Sequence, residues 1–532
     1  MDIVPGVADF ETVIRDLRAV VGVEHVRDDD SSRALFSQDI YSIASWPVVA
    51  VAAPASTAEL AQVVAIAARA DLQIAPRGGG MSYTSGYIPN SPSTLSLDTA
   101  RMNRVLEVNA EDMTVTVQAG CTWKDMNDAL RPHGLRTPFW GPLSGLTSTV
   151  GGGLSQLNAF FGAGHYGTTS ESVIGLTVVT AEGRLLKTGA RIEGGQGPFW
   201  RHYGPDLTGL FCGDCGVFGV KAEITLRLIQ APPHEACASF AFATGEEILG
   251  AMTAMARAGL ASELCGFDPN LTKVRLKRGS LGSDLNTLKT VVAKQKNLFS
   301  GMKEAAKIAL AGRNFIEADS FPLHVICEGR SQAGVDADMA HVRRIAQQFN
   351  GVEVENTIPK VMRAQPFAPL NSILGPSGER WVPMHGILAL SQVVPAFNAI
   401  TAVFEDMADA FAAHGIETAF LFSTLSTNAF VLEPTFYWPD DRTVIHEATM
   451  EPQHLAGLSR YPRNPAAAAV VVEGRRRILA VFQRLGAGHL QIGRTYPYRE
   501  SLDAEALSLL QHIKATLDPD GRLNPGGLGF DA

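Results

Sequence analysis

Short apolar runs alternate with amphipathic stretches over the first 230 residues. Trp46-Pro47-Val48-Val49-Ala50-Val51-Ala52 predicts a buried strand. Ser56-Thr57-Ala58-Glu59 predicts a capping box at a helix start: the serine hydroxyl accepts from a free helix amide and the glutamate reaches back. Leu60, Val63, Val64 and Ala67 follow at helical spacing. Residues 72–75, 94–97, 113–117 and 173–180 predict further strands, 123–130 a short helix, and Ala181-Glu182-Gly183-Arg184 a turn. Residues 217–229 predict a strand interrupted near Gly219. The pattern is α+β with mixed pairing, not a regular βαβ series.

Pro232-Pro233 suits a linker. Beyond it, residues 234–480 predict a more helical region with long connections, including a helix over 394–413. A basic helix is expected to begin near Glu473, its run Arg475-Arg476-Arg477 forming a solvated face. From Gly486 onward glycine and aromatic residues return. The expected division is 1–230, 231–485 and 486–532.

At 532 residues, the chain is too long for one compact core, and 46% hydrophobic with 19% charged residues suits a folded protein. A net charge of −9 argues against a nucleic-acid partner, because phosphate binding needs a basic surface. No run of about 18 apolar residues predicts a membrane span. Met1-Asp2-Ile3-Val4-Pro5 lacks a charged segment followed by an apolar run, so the expected location is cytoplasmic. Six cysteines are sparse and irregular, which disfavours a disulfide framework. Cys212-Gly213-Asp214-Cys215 has redox or zinc spacing, but no second pair completes a metal site, and its glycine favours a backbone loop.

Three glycine clusters dominate the first part: Pro76-Arg77-Gly78-Gly79-Gly80-Met81-Ser82; Pro142-Leu143-Ser144-Gly145 running to Thr149-Val150-Gly151-Gly152-Gly153; and Gly162-Ala163-Gly164-His165-Tyr166-Gly167. Such runs let backbone approach a ligand, and successive amides can nest an anion such as a diphosphate. Neither G-x-G-x-x-G nor G-x-x-x-x-G-K-[ST] is satisfied, which disfavours conventional nicotinamide or ATP binding.

In order and spacing, five stretches resemble the vanillyl-alcohol oxidase/p-cresol methylhydroxylase (PCMH) superfamily over residues 35–230 and again from about 470. They are Pro76-Arg77-Gly78-Gly79-Gly80; Met102-Asn103-Arg104-Val105-Leu106-Glu107-Val108; Ala119-Gly120-Cys121-Thr122-Trp123; Thr149-Val150-Gly151-Gly152-Gly153 with Tyr166-Gly167; and Asp518-Pro519-Asp520-Gly521-Arg522-Leu523-Asn524-Pro525-Gly526. The resemblance implies a two-part PCMH-type FAD-binding domain with a separate α+β cap domain. It implies that Pro76, Arg77, Gly78, Gly79, Gly80, Met81 and Ser82 hold the FAD diphosphate. Ser144, Gly151, Gly152, Ser155, His165, Tyr166, Gly167, Gly213, Asp214, Gly219, Val220 and Asn524 are expected along the cofactor. Relatives with flavin bound through a first-loop histidine would carry it where Met81 stands, and phenol-oxidising relatives where Thr427-Asn428-Ala429 stands; neither has a histidine here, so non-covalent FAD is expected.

For the substrate side, Trp381-Val382-Pro383-Met384-His385-Gly386 and the segment from Gly488 to Arg499 offer titratable and aromatic groups. His385 and His489 are the candidate bases, and Arg494, Tyr496 and Tyr498 candidate stabilisers of a phenolate. Tyr83 and Tyr87 are candidate wall residues. Two departures from the family stand out: Ser155 occupies the column of an aspartate in phenol oxidases, and the H-x-G-D-G-N-x-x-H metal motif of the D-lactate and glycolate branch is missing. The expected activity is FAD-dependent hydride transfer from an alcohol or benzylic carbon of a small aromatic or phenolic substrate. The acceptor would be dioxygen, a cytochrome or a quinone; homo-oligomerisation is left open. The alternatives are a 2-hydroxy-acid dehydrogenase, with Arg494 or Arg499 holding a carboxylate, and a non-catalytic flavin-binding protein.

Overall fold

The computed structural model describes residues 10–193, 197–278 and 319–530. Its first sheet has four strands, in spatial order Val26–Arg27, Ala50–Ala52, Thr94–Asp98 and Gln73–Arg77, with the last three parallel. Helices Phe10–Val21 and Thr57–Arg69 pack their apolar faces on it. The strand expected from Trp46 shrinks to Ala50–Ala52, because side chains intercept the preceding backbone. Ser37 Oγ accepts the Val48 amide and Arg33 Nε donates to the Val48 carbonyl. At the next helix Ser56 caps as expected, but Glu59 accepts from the Ala55 amide, one residue outside the reciprocal box.

The second sheet runs Val105–Asn109, Thr114–Gln118, Val220–Arg227, Val173–Val179, Leu185–Lys187, all antiparallel. Its inner face, with Val115, Val117, Leu176, Val178, Ile224 and Leu226, meets helix Trp123–Leu130, which Thr122 caps.

From His234 the chain builds an eight-stranded antiparallel sheet with helices packed on it, a larger share of strand than the more helical reading of 234–480 expects. Strands His234–Phe242, Phe321–Gly329, Glu263–Phe267, Glu417–Leu425 and Ala429–Trp438 lie side by side at its centre. Helices Gly245–Arg257, Gln332–Gln348, Val393–Asp406 and Pro465–Arg484 share one core with the sheet. The helix expected over 394–413 breaks at Met407, leaving a second helix, Ala408–His414. The helix expected near Glu473 begins two turns earlier, at Pro465. Asn464 caps it, and Ala467 and Val471 are buried before the basic run begins. Among the described residues no helix is long and apolar enough to cross a membrane.

Several contacts join these parts. The final segment returns to the first sheet, where Ile74 donates its amide to the Arg522 carbonyl and accepts from the Asn524 amide. A buried charge cluster joins the short strand Leu135–Arg136 to the eight-stranded sheet: Arg136 pairs with Glu328, and Arg363 reaches Glu263 and Glu328, each at 2.7 Å.

Candidate cofactor and substrate site

The turn after strand Gln73–Arg77 carries the first glycine cluster. Among the described residues, no group accepts from the amides of Gly78, Gly79, Gly80, Met81 or Ser82. Buried backbone donors are normally paired, so five consecutive free ones on a cavity wall call for an anionic ligand. Behind them lies the Arg77 guanidinium, over the ring of Phe36 at 4.4 Å and held by the Leu35 carbonyl. The loop tolerates no side chain. A Cβ on Gly79 would stand 2.2 Å from the Thr147 carbonyl of the second cluster, and Gly80 has φ +69° with Arg77 directly beneath. Free amides, a buried cation and backbone packed against backbone fit the diphosphate of FAD.

A cavity of about 1920 Å³, including its mouth, runs from this loop to the cap sheet. Of the expected cofactor residues, Pro76 through Ser82, Ser144, Gly151, Gly152, Ser155, Gly219 and Val220 line it. The third cluster does not. Its helix Ala163–Tyr166 abuts the cap, where the Gly164 amide donates to Ser262 and Ala163 accepts from the Ser426 amide. His165, Tyr166 and Gly167 thus stand beside the contact with the cap and off the cavity wall, apart from the other residues expected along the flavin. Gly213 sits against Leu157. Asp214 is buried in an ion pair with Lys221 at 2.5 Å, and only the lysine reaches the cavity wall. Asn524 lies behind the wall, donating to the carbonyls of Gly86 and Cys215. Cys212 and Cys215 are free thiols; Cys215 Sγ accepts the Gly493 amide. The described residues contain no group of three or more His, Cys, Asp or Glu able to hold a metal.

At the cap end, Tyr83 and His385 face the cavity and each other, with Tyr83 Oη 2.7 Å from His385 Nε2. Gln491 Nε2 donates to the same phenol oxygen at 3.1 Å. Burial, reinforced by the charge of Glu433, pushes the Tyr83 phenol well above its ordinary pKa, so it works as a neutral hydroxyl. Glu433 Oε2 lies 3.4 Å from His385 Nε2. Trp381 meets Tyr83 edge-on at 5.3 Å, and Tyr437 pairs with Trp381 across neighbouring strands.

The other expected catalytic residues stand back from the cavity. Tyr496 Oη accepts the His385 amide and His489 Nδ1 bonds to the His385 carbonyl, both at 2.6 Å. The two rings stack at 3.9 Å. Burial lowers the His489 pKa to about 4, so at neutral pH it donates as a neutral imidazole. His489 and Tyr496 thus hold the backbone of His385 from both sides. Arg494 spends its guanidinium on the carbonyls of Ser85, Ile88 and Pro525 and on Asn524 Oδ1. It is a brace between the first loop and the C-terminal return, which corrects its expected role as a phenolate or carboxylate clamp. Tyr498 is half-buried against the core of the second sheet, and Arg499 donates to the Gly529 carbonyl.

Glu433 and Tyr437 were not among the expected site residues, although the periodicity holds them. In Ala429–Trp438 the even positions Phe430, Leu432, Phe436 and Trp438 are core, while Val431, Glu433, Thr435 and Tyr437 line the cavity. The preceding strand divides likewise, with Phe420 and Phe422 in the core and Leu421 and Ser423 on the wall. A charged residue on an alternating strand flanked by aromatics was the available signal.

Known proteins resemble this chain in parts of its sequence and in its fold. Residues 48–189 match the FAD binding domain, and residues 492–528 match the FAD linked oxidases, C-terminal domain. Glycolate oxidase subunit GlcD of Bacillus subtilis (strain 168) is 32% identical over 220 residues, 41% of this chain and 45% of that protein. D-lactate dehydrogenase (cytochrome) 1, mitochondrial, of Saccharomyces cerevisiae is 28% identical over 277 residues, 50% of this chain and 45% of that protein. The chain thus aligns with less than half the length of these relatives. Similarity of fold extends further. The structure of p-cresol methylhydroxylase with substrate bound aligns with TM-score 0.72 at 16% identity, covering 98% of this chain and 97% of the other. That of 4-ethylphenol oxidase from Gulosibacter chungangensis in its isoeugenol complex aligns with TM-score 0.68 at 18% identity, covering 100% and 99%.

Proposed function

We propose that this chain, which carries the FAD binding domain and C-terminal domain of FAD linked oxidases on a p-cresol methylhydroxylase-type fold, is an oxidoreductase acting on an alcohol or benzylic carbon of a small aromatic substrate. One observation carries the choice of substrate: among the described residues, the substrate end of the cavity holds no cation free to meet a carboxylate. Arg77 lies behind the diphosphate loop, Lys221 is neutralised by Asp214, and the charged side chain beside His385 is the carboxylate of Glu433. A 2-hydroxy acid would place its own negative charge against that carboxylate in a partly desolvated site, which is costly. An aromatic ring instead meets Phe160, Trp381, Leu421 and Tyr437.

When bound along this cavity, FAD would supply the acceptor for a hydride from the substrate carbon. The protein's part is to move the hydroxyl proton. Tyr83 Oη takes it while passing its own proton to His385 Nε2, and the Gln491 amide steadies the phenol oxygen during the exchange. Trp381 and Tyr437 orient the ring and keep water from it.

Anaerobic mixing with 4-hydroxybenzyl alcohol is expected to bleach the flavin within seconds, whereas D-lactate and glycolate leave it oxidised; bleaching by the hydroxy acids alone would reverse the proposal. The second reading, a 2-hydroxy-acid dehydrogenase, draws on the sequence similarity to the glycolate and D-lactate enzymes over the FAD-binding part.

We further propose that the flavin is held without a covalent bond. Met81 stands on the cavity wall of the first loop, and Thr427 lies in the turn between strands Glu417–Leu425 and Ala429–Trp438, beside Gly259. Acid precipitation is expected to release all the yellow colour into the supernatant; colour in the washed pellet would refute it.

A further inference from the structure

Glu433 has no assigned task in the proton transfer above. It projects from the centre of strand Ala429–Trp438 into the cavity, its side chain 18% exposed. Among the described residues its close polar neighbour is His385, which meets Oε2, and no donor reaches the second carboxylate oxygen. Such a carboxylate in an apolar compartment is expensive unless something pairs with it. The walls around it are aromatic. Tyr83 carries its charge in a raised pKa, Tyr437 lies two pairs along the same strand face, and Trp381 sits opposite Tyr437 and edge-on to Tyr83. A carboxylate with one oxygen unmatched, on a wall that is otherwise largely apolar and aromatic, is the arrangement that favours an organic cation by ion pairing.

We propose that the substrate carries a protonated amino group, which Glu433 binds as an ion pair while the substrate ring lies along the cavity wall toward Trp381 and Tyr437. The proposal rests on the aromatic-substrate reading and narrows it to aromatic alcohols bearing an ammonium group. It requires no electron transfer, so binding alone can test it. The flavin-loaded protein is titrated with benzylamine, benzyl alcohol and benzoate, following the tryptophan fluorescence and the flavin absorbance band. Benzylamine is expected to bind at least about tenfold more tightly than benzyl alcohol, and benzoate most weakly. In Glu433→Gln, an isosteric change checked by retained flavin, the ratio of benzylamine to benzyl alcohol affinity falls to near one. Benzoate binding as tightly as benzylamine, or a preference for benzylamine that survives Glu433→Gln, overturns the proposal. The aromatic-alcohol reading fails separately, if no benzylic alcohol bleaches the flavin whatever the binding order.

Discussion

Gly79→Ala protein is expected to purify colourless and to resist reconstitution with FAD. The added methyl would stand 2.2 Å from the Thr147 carbonyl, a backbone atom that cannot swing aside as a flexible side chain would. The two glycine loops must therefore separate, and the free amides of Gly78 through Ser82 lose their common aim. Overpacking costs about 1–3 kcal/mol, and each charge-assisted hydrogen bond lost to the diphosphate about 1.5–3 kcal/mol. Together they weaken FAD binding on the order of 10²–10⁴-fold. Gly457→Ala serves as control, because there the new methyl meets nothing closer than a carbonyl at 3.5 Å and the backbone is right-handed. The ratio of visible flavin absorbance to protein absorbance reads the result. A fully yellow Gly79→Ala protein would mean that the diphosphate lies elsewhere.

The second large effect is expected at Tyr83. Tyr83→Phe keeps the ring against Trp381 but removes the oxygen that bonds to His385 and that is proposed to meet the substrate hydroxyl. Anaerobic flavin reduction should slow about 10²–10⁴-fold, the usual contribution of a positioned proton-transfer group. Flavin content should not change. Because both residues serve one transfer, Tyr83→Phe with His385→Gln should cost little more than either alone. The variant leaves the Gln491 amide and His385 without their shared partner, a stability loss of about 1–3 kcal/mol, so thermal melting is measured alongside. A reduction rate within about threefold of the parent would remove Tyr83 from the proton path.

The glycine clusters made the cofactor half of the site legible, because closely spaced residues without side chains have few uses other than close backbone approach. Pro76 through Ser82 needed only local pattern, and the structure puts all seven on the cavity wall. His165 through Gly167 show the limit: the same composition serves a tight contact between domains, and nothing local distinguishes a Cβ excluded by a ligand from one excluded by Ser262 and its neighbours. Arg494 failed for a related reason. A guanidinium next to aromatics suggests ligand binding, yet its donors are consumed by carbonyls from residues about 400 positions earlier and 30 later. The cap sheet was harder. Its strands are long and interleaved with strong helices, and residues such as Glu263 and Phe321 pair only with distant partners. Edge and centre are set there by tertiary packing. Even so, the alternation over Ala429–Trp438 was plain, and following it would have exposed Glu433.

The seam at Ile74 bears on how the protein is made. The hydrogen bonds that flank Ile74 come from Arg522 and Asn524, and the brace on the Gly86 carbonyl comes from Asn524 as well. A ribosome has to deliver the whole intervening cap before these last pieces emerge. The first sheet is therefore completed late, by a segment more than 400 positions downstream, so its final form waits on chain that follows the cap.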